Sequence, residues 1–148
     1  MKQFILKTND SYSPLILRVV LGIVMVAHGS QKVLGWFGGY GFSGTMNFFT
    51  ETLHLPWIIA FLVIIIEFFG AIALIAGLYT RIAGIAIGGV LLGIIFTSHI
   101  QHGFFMNWYG NKPGEGIEYF LIYIAGLISL AITGGGVFSV DRSIAKQA

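Results

Sequence analysis

The feature that most constrains the fold of this chain is a long apolar run that carries one acid. The run extends from Pro56 to Leu78, consists mainly of Ile, Leu, Val, Phe and Ala, and has Glu67 near its centre. About 20 apolar residues cross the hydrocarbon of a bilayer as an α-helix. An ionised carboxylate at that depth is costly unless it is paired or faces a wet cavity. The run therefore predicts a membrane-spanning helix whose acid needs a partner.

The composition of the whole chain supports the same class. Of its 148 residues 56% are hydrophobic and 9% are charged, whereas soluble domains carry about 25% charged residues. We expect a single membrane domain over residues 1–148 with the lipid bilayer as its partner. The net charge of +2 comes from basic residues beside apolar runs, which indicates topology signals and no nucleic-acid partner. The absence of cysteine excludes thiolate chemistry.

Four apolar segments predict an all-α fold, a transmembrane four-helix bundle with helices at about residues 14–34, 56–78, 81–100 and 116–138. Arg18 interrupts the first segment, so we expect it to be retained rather than cleaved as a signal peptide. The loops between these segments are rich in glycine and aromatic residues, which favour the membrane interface. A G-x-G-x-x-G match at 39–44 follows no strand, so its context argues against a dinucleotide site.

The basic residues near the helix ends predict the orientation. Six of them belong to one side of the predicted topology and two to the other: Lys2, Lys7, Arg18, Arg81, Arg142 and Lys146 against Lys32 and Lys112. Cytoplasmic segments carry the excess of Lys and Arg. Both termini are therefore predicted to be cytoplasmic.

With that topology, polar residues of all four helices meet in the outer half of the bundle. They are His28, Gln31, Lys32, Glu67, His99, His102 and Glu118. On the first helix, Arg18, Gly22, Met25, Gly29 and Lys32 share one inward stripe at 100° per residue. Bundle cores are common places for ligands, so a pocket is expected here.

The partner of Glu67 stays open between Arg18 and His28. Arg18 and Glu67 differ in depth by about 10 Å at 1.5 Å per residue, near the combined reach of their side chains. A buried ion pair of this kind serves helix pairing as readily as it serves function.

His99 and His102 lie at i and i+3, a spacing that could ligate a metal with His28 or Glu118. Two solvated interfacial histidines are the favoured interpretation, and we predict no metal site. A haem between His28 and His99 fits by depth alone. Trp36 is expected to anchor at the interface, with ring stacking as the alternative.

Several of these residues together resemble the DoxX family of small bacterial membrane proteins. The resemblance rests on Leu17-Arg18 with Gly22, His28-Gly29-x-Gln31-Lys32, Gly35-x-Phe37-Gly38-Gly39-x-Gly41, Glu67-x-x-Gly70 and Gly77-Leu78-x-Thr80-Arg81. It covers most of residues 15 to 100.

The resemblance implies a four-helix protein of the bacterial inner membrane, in a family named for a subunit of a thiosulfate:quinone oxidoreductase. Other members are linked to redox defence or to quinone and catechol handling. The family's polar positions match Arg18, His28, Gln31, Lys32 and Glu67. No flavin, haem or iron–sulfur motif accompanies them here, which puts autonomous electron transfer in doubt.

The leading functional prediction is a membrane subunit of a redox system that binds a quinone-like molecule, with a redox subunit as partner. Glu67 and His28 are its predicted catalytic residues, Glu67 as proton donor or acceptor. The predicted ligand-binding residues are Arg18, Gln31, Lys32, Trp36, His99 and Glu118. Two alternatives stay open, a non-enzymatic scaffold of a larger complex and a small transporter that acts as a homo-oligomer.

Overall fold

The computed structural model describes residues 5–146, which are helical and contain no strand. Lys2, one of the topology residues, lies outside them. The helices are α1 (Ser13–Leu34), α2 (Gly41–Asn47), α3 (Trp57–Ala76), α4 (Thr80–His102), α5 (Glu118–Thr133) and α6 (Val140–Ala145). The all-helical prediction is confirmed.

Three of these helices are long and apolar enough to cross a membrane. They are α1, α3 and α4, with 22, 20 and 23 residues, while α5 is a shorter apolar helix of 16 residues. The predicted segment 116–138 ends earlier, at Thr133, because Gly134 leaves the helix with a φ of 76°. The glycines that follow pack against the N-terminal segment, where the Gly136 amide donates to Thr8 Oγ1.

The core lies where α1, α3, α4 and α5 face one another. Its largest buried side chains include Met25, Leu74, Ile87, Leu91, Tyr123, Leu127 and Leu130. A second, smaller cluster of Met46, Ala60 and Ile64 holds α2 against α3. The outer faces stay apolar, with exposed side chains such as Ile23, Ile85, Phe96, Ile122 and Ile132. An apolar exterior of this extent matches a lipid environment.

A buried polar cluster closes one end of the helices. Arg18 is 1% exposed, and its guanidinium donates to the carbonyls of Leu74 and Ile75 in the last turn of α3 and of Gly135 and Phe138 near the C-terminus. The last turn of a helix leaves carbonyls without intrahelical donors. Arg18 therefore caps α3.

Asp141 performs the matching role for α4. Its carboxylate, 1% exposed, accepts from the amides of Tyr79 and Thr80 and from Thr80 Oγ1, at 2.6, 2.9 and 2.8 Å. The first turn of a helix leaves amides unpaired and favours negative charge. The α3–α4 turn is thus capped on both sides by residues from distant parts of the chain.

The N-terminal segment and the C-terminal segment contact each other at this same end. Asn9 donates its amide to the Thr133 carbonyl at 3.0 Å, and Arg142 pairs with Asp10 at 2.8 Å. Within residues 5–146, the first and last described segments therefore lie at the same end of the helices, as a common side for both termini requires. The side of the membrane on which they lie remains a prediction.

Candidate functional site

A cavity of about 510 Å³ lies toward the opposite end of the helices. Its polar lining comes from every long helix and one loop: His28, Lys32, Glu67, His99, Glu115 and Tyr119. Its apolar lining includes Val24, Met25, Leu91, Ile94, Met106 and Phe120. Ligand pockets commonly measure roughly 300–1,000 Å³ and combine apolar walls with few polar groups. This cavity therefore has the character of a small-molecule site.

The partner of Glu67 is Lys32. The Lys32 ammonium lies 2.5 Å from Glu67 Oε2, and the side chains are 23% and 2% exposed. We describe the contact as an ion pair and not as a hydrogen bond. Among residues 5–146, no donor forms a hydrogen bond of acceptable geometry with Glu67 Oε2. Neither Arg18 nor His28 takes this place. Arg18 lies 14 residues before Lys32, about 21 Å along α1 at 1.5 Å per residue.

Gly29 explains how Lys32 reaches the acid. A Cβ on Gly29 would lie 2.7 Å from the Cα of Phe68, so only glycine allows α1 to approach the α3 backbone this closely. Lys32 follows three residues later and therefore projects from the same face of α1. The close approach at Gly29 thus places the ammonium over Glu67.

Two of the cavity's residues lie where the α-helical repeat is interrupted. Glu67 belongs to a π-helical segment of α3, Ile66–Gly70, and His99 ends another in α4, Ile95–His99. Each π-helical turn holds more residues than an α-helical turn, so the side chains that follow are rotated. Such segments are frequent at functional sites.

His99 is held by the loop between α4 and α5. Its Nδ1 lies 2.8 Å from the carbonyl oxygen of Glu115, and its ring centroid lies 4.5 Å from that of Phe120. A carbonyl oxygen only accepts, so Nδ1 carries the proton. The other nitrogen, Nε2, is then left with a lone pair that can accept a hydrogen bond.

Tyr119 supplies an unpaired polar group to the cavity. Its hydroxyl oxygen is buried and finds no hydrogen-bond partner in the described part of the chain. A buried hydroxyl without a partner is unusual, and a bound ligand or water is the ordinary explanation. The neighbouring Tyr123 differs, because its hydroxyl donates to the Leu21 carbonyl.

Half of the residues predicted for the site do not line the cavity. Glu118 Oε2 accepts from the Met106 amide at 3.2 Å and so holds the loop, while Glu115 lines the cavity. Gln31 donates to the Phe37 carbonyl at 3.3 Å, and Trp36 is 59% exposed. Of the eight predicted residues, the cavity lining contains His28, Lys32, Glu67 and His99.

Three participants were missed in the sequence: Tyr119, Glu115 and, at the far end, Asp141. Tyr119 follows Glu118 at the start of an apolar helix, a pattern equally typical of an interface tyrosine. Asp141 could have been noticed from Ser139, whose hydroxyl accepts from the Arg142 amide as an N-cap. Among the described residues no three His, Asp or Glu side chains lie together as a metal would require.

A membrane protein with several apolar helices and a charged pair in a cavity between them is the class that this fold and site define. Residues 13–100 match the family model for DoxX, and the chain belongs to the DoxX family. It is 32% identical over 132 residues to a Bacillus subtilis protein named "Putative oxidoreductase CatD", covering 89% of this chain and 87% of that protein.

A second relative is the "Inner membrane protein YqjF" of Escherichia coli. It is 27% identical over 147 residues, which cover 96% of this chain and 99% of that protein. No solved structure matches the chain.

Proposed function

We propose that this protein binds a quinone-like small hydrophobic molecule in the cavity, as the membrane component of a redox system of the bacterial inner membrane. The observation that carries the proposal is the Lys32–Glu67 pair, with its carboxylate buried, on the wall of a cavity that also has apolar sides and the unpaired Tyr119 hydroxyl. Ionisable groups within membrane spans are costly, and they commonly mark ligand or proton pathways.

The donors and acceptors of the cavity suit both forms of such a ligand. A quinone offers two carbonyl oxygens as acceptors, to which the Lys32 ammonium and the Tyr119 hydroxyl can donate. A quinol offers two hydroxyl donors, for which Glu67 and the carbonyl-bound His99 each provide an acceptor. The apolar walls, including Phe120 and Ile94, suit the ring.

Interconversion of a quinone and a quinol transfers two electrons and two protons. Glu67 and His28 are the groups we assign to the protons, since both line the cavity and a carboxyl group and an imidazole can each hold a proton. The electrons are assigned to a partner redox subunit, because this chain contains no cysteine and no haem or flavin motif. The name of the Bacillus subtilis relative supports a role in oxidation–reduction.

We further propose that α1, α3, α4 and α5 form a four-helix bundle in the membrane with both termini in the cytoplasm. The clustering of Lys7, Arg18, Arg81 and Arg142 at one end supports this orientation through the excess of basic residues on the cytoplasmic side. The cavity then lies in the outer half of the membrane.

Binding of a tail-free benzoquinone to the protein in lipid nanodiscs tests the proposal. The wild type should bind it, and Glu67→Gln should lower the affinity at least tenfold, about 1.4 kcal/mol, while the protein stays folded by size exclusion and thermal unfolding. Glu51→Gln is the matched control, because Glu51 is exposed and outside the cavity. Undiminished affinity in Glu67→Gln would defeat the assignment.

A further inference from the structure

A second large space opens between α3 and α4, and we call it the lateral groove. It measures about 620 Å³ and is lined chiefly by apolar residues, among them Phe49, Ile59, Val63, Gly89, Val90 and Gly93. Ile59, Gly89 and Gly93 are exposed on the outer surface of the molecule. The lateral groove is therefore open toward the side that we assign to lipid.

The lateral groove adjoins the polar cavity. Lys32, Ile94 and His99 line both spaces. The groove thus has chiefly apolar walls and reaches Lys32, the cation of the charged pair. A ligand that fills both spaces needs a polar head at the Lys32 end and an apolar tail along α3 and α4.

Two glycines of α4 keep the lateral groove empty of protein. A Cβ on Gly89 or on Gly93 would meet no atom within 4 Å in the described part of the chain. Gly84, on the face toward α5, differs because its Cβ would lie 3.4 Å from the Leu127 carbonyl oxygen. Small residues in membrane helices usually permit close packing of backbones. At Gly89 and Gly93 the space that they leave is instead open.

From this shared boundary we infer that the ligand is a quinone with a long hydrocarbon tail, which enters sideways from the bilayer. Its ring occupies the cavity and its tail lies in the lateral groove. This inference rests on the proposed function. A partner helix fits the space less well, since a helix with its side chains is about 10 Å across and cannot continue into the cavity.

We expect the tail to determine how the ligand enters and is oriented in the cavity, and to add little to the binding affinity. Hydrocarbon gains little when it moves from lipid into an equally apolar groove, because lipid tails are as apolar as the side chains. Wild-type protein should therefore bind tailed and tail-free quinones with similar affinity when their concentrations are expressed per lipid. A side chain that fills the groove should obstruct the tailed molecule alone.

The experiment compares a benzoquinone bearing a decyl tail with the same ring bearing a methyl group, both in nanodiscs. Gly93→Phe should lower affinity for the decyl compound at least tenfold and leave affinity for the methyl compound within twofold. Leu92→Phe is the matched control, because Leu92 is exposed on α4 and lines neither the cavity nor the groove, and it should change neither affinity. Val63→Trp, on the opposite wall, gives a second obstruction should Gly93→Phe fail to fold.

The outcomes separate the two proposals. If the wild type binds neither compound, the proposed function fails. If it binds both and the obstructed variants bind the decyl compound as tightly as the wild type, or lose both compounds alike, the groove inference is overturned while the cavity assignment stands. A decyl analogue with a photoreactive diazirine at the tail end should label groove residues of α3 or α4, and labelling confined to other segments would overturn the inference as well.

Discussion

The Lys32–Glu67 pair is the residue-scale feature that separates this molecule from a simple apolar bundle. Burying two charges costs solvation, and their attraction compensates only when each has the other close by. At 2.5 Å the pair meets that condition. The fold can therefore accommodate the two charges together, whereas either charge without the other would destabilise it.

Lys32→Met tests this dependence. Removal of the ammonium leaves Glu67, 2% exposed, as a buried unpaired carboxylate, and breaking such a pair commonly costs about 3–5 kcal/mol. We expect a clear fall in the thermal unfolding temperature of the detergent-solubilised protein. The double variant Lys32→Met/Glu67→Gln should recover much of that stability, and equal stability of the single variant and the wild type would contradict the account.

Tyr119→Phe should separate binding from folding. The Tyr119 hydroxyl has no hydrogen-bond partner within residues 5–146, so its removal should leave stability unchanged or slightly higher. Ligand affinity should fall about twofold to twelvefold, since one hydrogen bond contributes roughly 0.5–1.5 kcal/mol and about 1.4 kcal/mol is tenfold.

Tyr123→Phe is the matched control for Tyr119→Phe. Its hydroxyl donates to the Leu21 carbonyl, so this variant should lose about 1 kcal/mol of stability and keep its ligand affinity. The reverse pattern between the two tyrosines, measured by thermal unfolding and equilibrium binding, would remove Tyr119 from the ligand site.

At the scale of the elements, the contact between α1 and α3 determines the site. Gly29 packs on the α3 backbone where the π-helical segment Ile66–Gly70 carries Glu67. The helix-period stripe of α1 was expected to face inward, and its members Arg18, Gly22, Met25 and Gly29 are buried. The two helices therefore hold the charged pair through their backbones rather than through side-chain flexibility.

Gly29→Ala should damage both stability and binding. Its Cβ would lie 2.7 Å from Phe68 Cα, so the helices must separate, and overpacking of this kind costs roughly 1–3 kcal/mol. Lys32 moves with α1, so ligand affinity should fall too. Gly89→Ala is the control, because its Cβ meets open space, and it should match or exceed wild-type stability, as alanine favours helix.

Asp141→Asn should weaken the opposite end without affecting the cavity. The carboxylate accepts three hydrogen bonds from the first turn of α4, and loss of the charge at this cap should cost about 1–2 kcal/mol. Thermal unfolding should report the loss, while ligand affinity stays at the wild-type value. Asp10→Asn, at an exposed ion pair, should change stability by less than about 1 kcal/mol.

At the scale of the whole molecule, the N-terminal and C-terminal segments of residues 5–146 meet beside the α3–α4 turn. Arg81 donates to the Lys7 carbonyl at 3.0 Å, and Asp141 and Arg142 hold the C-terminal segment there. This arrangement, together with the exposed apolar faces of the helices, is consistent with passage through the membrane an even number of times.

Cysteine labelling tests the orientation without background, because the chain contains no cysteine. Asn9→Cys and Ser143→Cys should react with a membrane-impermeant maleimide in inverted vesicles and stay protected in intact cells with a permeable outer membrane. Asn111→Cys, in the loop before α5, should show the opposite pattern. Labelling of Asn9→Cys and Ser143→Cys from opposite sides would exclude the proposed topology.

Features that depend on neighbouring residues in the sequence were predicted correctly, whereas features that depend on contacts between distant residues were not. Segment 56–78 was recognisable as a spanning helix because its apolar length is a local property, and α3 covers Trp57–Ala76. The end of α5 could not be recognised from the sequence, because Gly134–Gly136 leave the helix and pack against Lys7, Thr8 and Ser11, which are distant in sequence. His28, Lys32, Glu67 and His99 were assigned to the outer half of the bundle from the predicted topology and a rise of about 1.5 Å per residue, and all four line the cavity.

The amino-acid sequence by itself determined that this chain is a helical membrane protein and that Glu67 must have a cationic or wet neighbour, because lipid leaves apolar segments and buried charges few alternatives. Only the tertiary structure decided that the neighbour is Lys32, that Arg18 instead caps α3, and that Tyr119 completes the cavity. These choices depend on the close approach at Gly29, on the rotation introduced by two π-helical segments and on the path of the loop before α5. The spacing of apolar residues along a helix does not specify the close approach, the π-helical segments or the path of the loop.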